Sequence, residues 1–109
     1  MNNNTFQIVN RLRTCKEYNV LNQSIKKNND SFDYFFKNML IAKHFNKEKK
    51  VLIENQKELN MHVIEKINGI FEIFKFPFVI ENNRKEFYIK NNRTFQTQKY
   101  NGNEIELKY

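Results

Sequence analysis

A chain of 109 residues with eleven Phe, no Trp and a hydrophobic fraction of 39% fits one domain, 1–109, that buries roughly two-thirds of the surface its unfolded form exposes. The net charge of +7 is spread along the chain, +3 over residues 1–30 and +2 over each of 31–69 and 70–109, which favours anionic partners through an attraction that salt weakens. A single cysteine excludes an intrachain disulfide and a thiolate-held metal, and two glycines leave no glycine-rich phosphate loop, so neither a metal nor a small-molecule cofactor is expected.

The segment MNNNTFQIVNRLR has no apolar signal core, and the most apolar run, IFEIFKFPFVI, is short and interrupted by Glu72 and Lys75. The expectation is a cytoplasmic protein in a reducing compartment, without a membrane span. Residues 5–28 place Ile8, Val9, Leu12, Cys15, Tyr18, Leu21 and Ile25 at three- and four-residue spacings, the pattern of one buried helical stripe with Thr5 as its cap. On that stripe Cys15 is expected to be buried as a small hydrophobe.

A second helix is expected after the cap signal at Asp30 or Ser31, with Phe32, Phe35, Phe36, Met39 and Leu40 recurring at helical spacing. The third periodic run carries Leu52, Leu59, Val63, Ile64 and Ile67 and closes at Gly69, a residue suited to the position just past a helix end. His44 and His62 stand apart from other ligand-type residues and read as helix-surface or boundary histidines.

Beyond Gly69 the period changes from helical to alternating. Phe74, Phe76, Phe78 and Ile80 alternate with Lys75, Pro77, Val79 and Glu81, which describes a strand with one apolar face and, at Pro77, an edge or a bulge. Turn signals at ENNR, KNNR and YNGN divide the remainder into strands near 71–81, 85–90, 94–100 and 103–108. The predicted fold is α+β: three N-terminal helices (about 5–68) packed on one face of a C-terminal four-stranded antiparallel meander (about 71–108), in the order αααββββ.

In that meander a two-residue turn at Asn82 and Asn83 pairs Phe78 with Phe87 and Phe76 with Ile89, leaving Tyr88 outward with Glu86 and Lys90. Phe95 faces solvent if the next turn has two residues and joins the core if it has three, in which case Tyr88 and Tyr100 are the remaining platform. The candidate site is therefore Arg84, Lys85, Tyr88, Lys90, Arg93, Phe95, Lys99 and Tyr100. Aromatic rings interleaved with cations suit single-stranded nucleic acid, with RNA favoured over DNA, although strand propensity and protective edge lysines produce similar patterns.

Two other readings compete. The over-use of Asn and Lys, with Ala42 the only alanine, is the bias of an AT-rich genome, such as that of a bacterium or its phage. A small chain from such a source, without a catalytic constellation, suits a phage or mobile-element inhibitor that docks on a host nucleoprotein enzyme. Alternatively, KKVLIENQKELNMHVIEKINGI divides near Asn60 into a helix–turn–helix with a following hairpin, a winged-helix arrangement that puts His62, Glu65 and Lys66 on the recognition helix.

Catalysis is not expected. The spacing of Glu106 and Lys108 is similar to the E-x-K element of metal-dependent nucleases, which also needs an upstream acid, and the chain has no aspartate after Asp33. The sequence thus describes a non-enzymatic basic module whose partner is nucleic acid, or a nucleoprotein or protein with an acidic face, and which is a monomer or a weak dimer.

Overall fold

The computed structural model describes residues 1–109 and contains two helices and nine strands. Helix α1 (Asn3–Arg13) starts at Asn2, whose side chain accepts from the Thr5 N–H at 2.8 Å, so the cap lies three residues before the expected Thr5. Its apolar face, Ile8, Val9 and Leu12, is fully buried. The helix ends well short of residue 28, and Cys15, at φ 59°, lies beyond it and is partly exposed.

Five antiparallel strands follow where two more helices were expected: β1 (Tyr18–Val20), β2 (Gln23–Lys27), β3 (Phe32–Phe36), β4 (Met39–Phe45) and β5 (Lys50–Ile53). Lys37 and Asn38, both at positive φ, make the tight turn that pairs Phe36 with Met39, a primed hairpin geometry without glycine. Between Tyr34 and Phe35 the register shifts, and Ile41 and Ala42 are both fully buried at this bulge. Leu21, assigned to a buried stripe by its spacing, is 89% exposed in the first hairpin turn.

Helix α2 (Met61–Ile73) is capped by Asn60, which accepts from the Val63 N–H at 3.0 Å. Gly69 lies inside this helix rather than past its end, because α1 crosses there. A Cβ at Gly69 would stand 2.7 Å from Thr5 Cγ2 and 2.8 Å from Met1 Sδ, so the absence of a side chain is what permits the close approach of the two helices. Glu65 reinforces the crossing by accepting from the Asn2 N–H and the Thr5 hydroxyl.

The last part of the chain makes β6 (Phe78–Asn83), β7 (Glu86–Asn91), β8 (Thr97–Lys99) and β9 (Ile105–Lys108). The expected four-stranded meander is corrected here: β6, β7 and β8 form a three-stranded sheet, whereas β9 returns to pair with β5 and completes a six-stranded sheet of order β1-β2-β3-β4-β5-β9. The diversion occurs at Gly102, at φ 89°, whose carbonyl accepts from Gln56 N–H at 2.8 Å while Asn55 Oδ1 accepts from Glu104 N–H at 2.8 Å. A Cβ at Gly102 would meet the Gln56 carbonyl oxygen at 2.5 Å.

One core joins these parts. The row Ile25, Tyr34, Ala42 and Ile53, aligned across neighbouring strands, packs with the buried faces of both helices, so the helices cover a single face of the large sheet. No helix is long and apolar enough to cross a membrane. Residues 50–53 are a strand, so the helix–turn–helix required by the winged-helix arrangement does not form.

Candidate nucleic-acid interface

The three-stranded sheet is anchored to α2 by Asn68, whose side-chain amide donates to the Ile80 carbonyl at 2.9 Å and accepts from the Ile80 N–H at 2.7 Å. Ile80 is buried against the core, and Phe78, Phe87 and Ile89 pack against it. Because Glu81 is registered with Tyr88 and Val79 with Lys90, strand alternation turns these residues away from the core.

Sequence spacing misplaced the turn but not the faces. The hairpin closes on Arg84 and Lys85, at φ 54° and 67°, and pairs Ile80 with Ile89 and Phe78 with Asn91. The turn lies two residues further along than expected, so each pairing is displaced by four residues, and an even displacement preserves which side chains face inward. Asn82 and Asn83, expected as the turn, belong to β6.

The expected site residues fall into three groups. Arg84 and Lys85 are exposed at the hairpin tip. On the outer face Tyr88 donates to Glu86 at 2.8 Å, and Lys99 donates to the other oxygen of the same carboxylate at 3.2 Å. Hydrogen bonds from Tyr88 and Lys99 lower the Glu86 pKa, and the bond to Glu86 raises that of the Tyr88 phenol, so this trio is fixed as a charge-assisted network.

At the far end of β7, about 20 Å from the tip, the loop Asn92–Gln96 follows neither of the two expected turn lengths. Asn91 Oδ1 accepts from the Arg93 and Thr94 N–H groups, and the Phe95 N–H donates to the Asn91 carbonyl at 2.8 Å. Phe95 is 72% exposed at φ 62°, and the Lys90 ammonium stands 5.6 Å from its ring centroid. Arg93 is exposed beside it.

Tyr100 leaves the site. Its side chain is 5% exposed, its hydroxyl has no hydrogen-bond partner, and burial pushes its pKa up to about 12. The candidate interface is thus a strip carrying Arg84 and Lys85 at one end, the Tyr88 network in the middle, and Lys90, Arg93 and Phe95 at the other.

A second constellation, formed by Cys15, His44 and Tyr109, carries no signature in the sequence, where His44 reads as a helix-surface or boundary histidine and Cys15 as a small hydrophobe. His44 lies on β4 and is 1% exposed. Its Nδ1 is 2.9 Å from the Leu12 carbonyl and 3.7 Å from Cys15 Sγ, and its Nε2 is 2.6 Å from the Tyr109 hydroxyl. A carbonyl only accepts, so Nδ1 carries the hydrogen and Nε2 accepts from Tyr109.

In that tautomer His44 has no vacancy for a thiol proton on the side that faces Cys15. Burial raises the Cys15 pKa, and burial, with Arg13 nearby, lowers that of His44. Both groups therefore rest in neutral forms, the reverse of an activated thiolate. A groove of about 650 Å³ lined by Cys15, Asp30 and Ser31 lies alongside, and the Asp33 carboxylate accepts from Ser31 and Asn28.

The fold and the strip together define an α+β protein with two antiparallel sheets and a basic, aromatic outer surface. In comparisons with protein-family models, curated proteins and solved structures, nothing matched this chain.

Proposed function

We propose that this chain is a non-enzymatic binding module for single-stranded nucleic acid, RNA in preference to DNA, acting in the cytoplasm through the outer strip of the three-stranded sheet. The observation that carries the reading is Phe95. A bulky aromatic in the left-handed region is strained by roughly 1–2 kcal/mol, and at 72% exposure the ring contributes little to the core. Strain of this kind is characteristic of ligand sites.

Phe95 offers a stacking face, with Lys90 and Arg93 beside it to neutralise phosphates. Arg84 and Lys85 extend the cationic track along the hairpin, and Tyr88 contributes a second ring held in place by Glu86. The loop needs no glycine to approach a ligand, because its aromatic side chain, rather than its backbone, provides the contact.

The test reverses Arg84, Lys85, Lys90 and Arg93 to Glu together and measures fluorescence anisotropy with labelled single- and double-stranded RNA and DNA at low and near-physiological salt. The expected result is loss of a salt-sensitive, single-strand-selective association, with thermal unfolding nearly unchanged because all four side chains lie outside the core. Intact binding by the folded quadruple variant removes this strip as the site.

A further inference from the structure

The outer face of the six-stranded sheet presents a separate surface. Strand parity puts Lys26, Asp33, Lys43, Leu52 and Glu106 in one cross-strand row on this face, with Phe45, Lys50 and Lys108 in the next and Phe35 opposite Leu40 in a third. Both helices lie against the opposite face.

Four large apolar side chains here, Phe35, Leu40, Phe45 and Leu52, are partly exposed. They are absent from the core and from the shell of apolar residues packed against it. Lysines reach over both rings: the Lys26 ammonium lies 5.4 Å from the Phe35 ring centroid and that of Lys50 lies 4.8 Å from Phe45. The Lys26 ammonium remains available to an anion while its stem lies over the ring.

The acids offset only part of this charge. Asp33 is 6% exposed and accepts from Ser31 and Asn28, and Glu106 lies 3.8 Å from Lys50, which also reaches Glu48. Lys26, Lys43 and Lys108 form no ion pair. A second copy of the chain docked face to face would oppose lysines to lysines, so like charge disfavours self-association through this surface.

We propose that this outer face is a second binding surface for single-stranded nucleic acid, on which bases stack against Phe35 and Phe45 while Lys26, Lys43 and Lys108 contact phosphates. Lys26 and Lys43 are two strands apart, about 10 Å, with Phe35 in the neighbouring row. Rings flanked by cations at this separation follow the pattern of sequence-tolerant single-strand binders. An acidic polypeptide would use the lysines and leave the rings without a stacking partner.

The experiment compares three folded proteins by anisotropy with a labelled oligouridylate across a salt series: wild type, Lys26→Gln/Lys43→Gln/Lys108→Gln, and the hairpin charge-reversal variant. Neutralising three phosphate contacts is expected to weaken binding about tenfold or more at low salt and to make the log–log salt slope shallower by about 2. Phe45→Ala, which keeps every charge, is expected to weaken binding at all salts with the slope unchanged, and it serves as the readout if the triple variant does not fold.

Wild-type affinity and slope in either folded sheet-face variant overturn the proposal, as does competition by polyglutamate that matches unlabelled oligouridylate. Loss in the sheet-face variants with intact binding by the hairpin variant upholds it and removes the hairpin reading. The opposite pattern removes this surface alone, and absence of binding by the wild-type protein removes both.

Discussion

Replacing Phe95 by Asn separates the ring's contribution to binding from its contribution to folding. Asn adopts the left-handed region readily, so the substitution relieves roughly 1–2 kcal/mol of backbone strain at φ 62°. Against this, little more than a quarter of the ring is buried, on the order of 50 Å² and hence about 1 kcal/mol of apolar burial. The exposed Lys90 contact at 5.6 Å adds about 0.5 kcal/mol. These opposing terms nearly cancel, so chemical denaturation should place the variant within about 1 kcal/mol of wild type. Binding should respond differently, because one stacked base is worth about 1–3 kcal/mol, an affinity loss of roughly 5- to 150-fold by anisotropy with single-stranded RNA. A variant destabilised by more than about 2 kcal/mol would show that the ring braces the loop, and unchanged affinity in a folded variant would show that it stacks on nothing.

Gly69→Ala should be destabilising despite the higher helix propensity of Ala. The new Cβ meets Thr5 Cγ2 at 2.7 Å, and Thr5 is held by its 2.6 Å bond to Glu65, so an overpacking cost of about 1–3 kcal/mol exceeds the gain of about 1 kcal/mol and lowers the denaturant midpoint. Tyr100→Phe should be stabilising by about 1 kcal/mol, visible as a higher midpoint, because it removes a buried hydroxyl that has no partner. His44, with its folded pKa lowered first by burial, contributes stability that is fully present above its ordinary value of 6.5 and is lost as pH falls below that toward the folded value, where the unfolded chain binds the proton first. The stability–pH curve below about 6.5 should therefore flatten in His44→Gln. Glu65, whose pKa bonds from Lys66, Thr5 and Asn2 lower in spite of burial, acts only in a more acidic window, below its ordinary value of 4.5.

The start of the first helix, the helix at Met61–Ile73, the faces of the β6–β7 hairpin and the existence of a terminal strand were legible, whereas the five strands between the helices and the sheet that β9 joins were not. Both faces of β3 and β4 carry apolar residues: Phe32, Tyr34 and Phe36 face the helices, and Phe35 and Leu40 face outward. Alternation was thereby erased, and the outward pair supplied the false helical spacing. The turns were equally opaque, since Lys37–Asn38 and Arg84–Lys85 reach positive φ without glycine. The position of Gly69 misled for the same reason in reverse, its role being tertiary rather than terminal.

Within the site, the residues placed correctly were those that depended on parity. Tyr88 and Lys90 face outward in any register displaced by an even number of residues, and the displacement is four. Phe95 and Tyr100 depended on loop geometry instead. Asn91 sets the loop around Phe95 through its side chain, and Tyr100 is drawn inward as its N–H donates to the Phe87 carbonyl at 2.8 Å. The outer face of the large sheet was invisible, because its members were distributed over segments read as three different helices and a strand of the other sheet.

The two proposed surfaces make a joint quantitative demand on salt dependence. In the small sheet Lys99 is tied to Glu86, which leaves Arg84, Lys85, Lys90 and Arg93 for phosphates; in the large sheet Lys50 is shared between Glu48 and Glu106, which leaves Lys26, Lys43 and Lys108. For single strands the log–log slope is about 0.7 per phosphate neutralised, so either surface alone yields a slope of about 2–3, and one strand bridging both yields about 5. Slopes measured against oligouridylates of increasing length should therefore step from the lower value to the higher once a strand can reach both faces. A slope that stays near the lower value at every length would mean that one chain cannot span them, and the two surfaces would then have to engage separate strands.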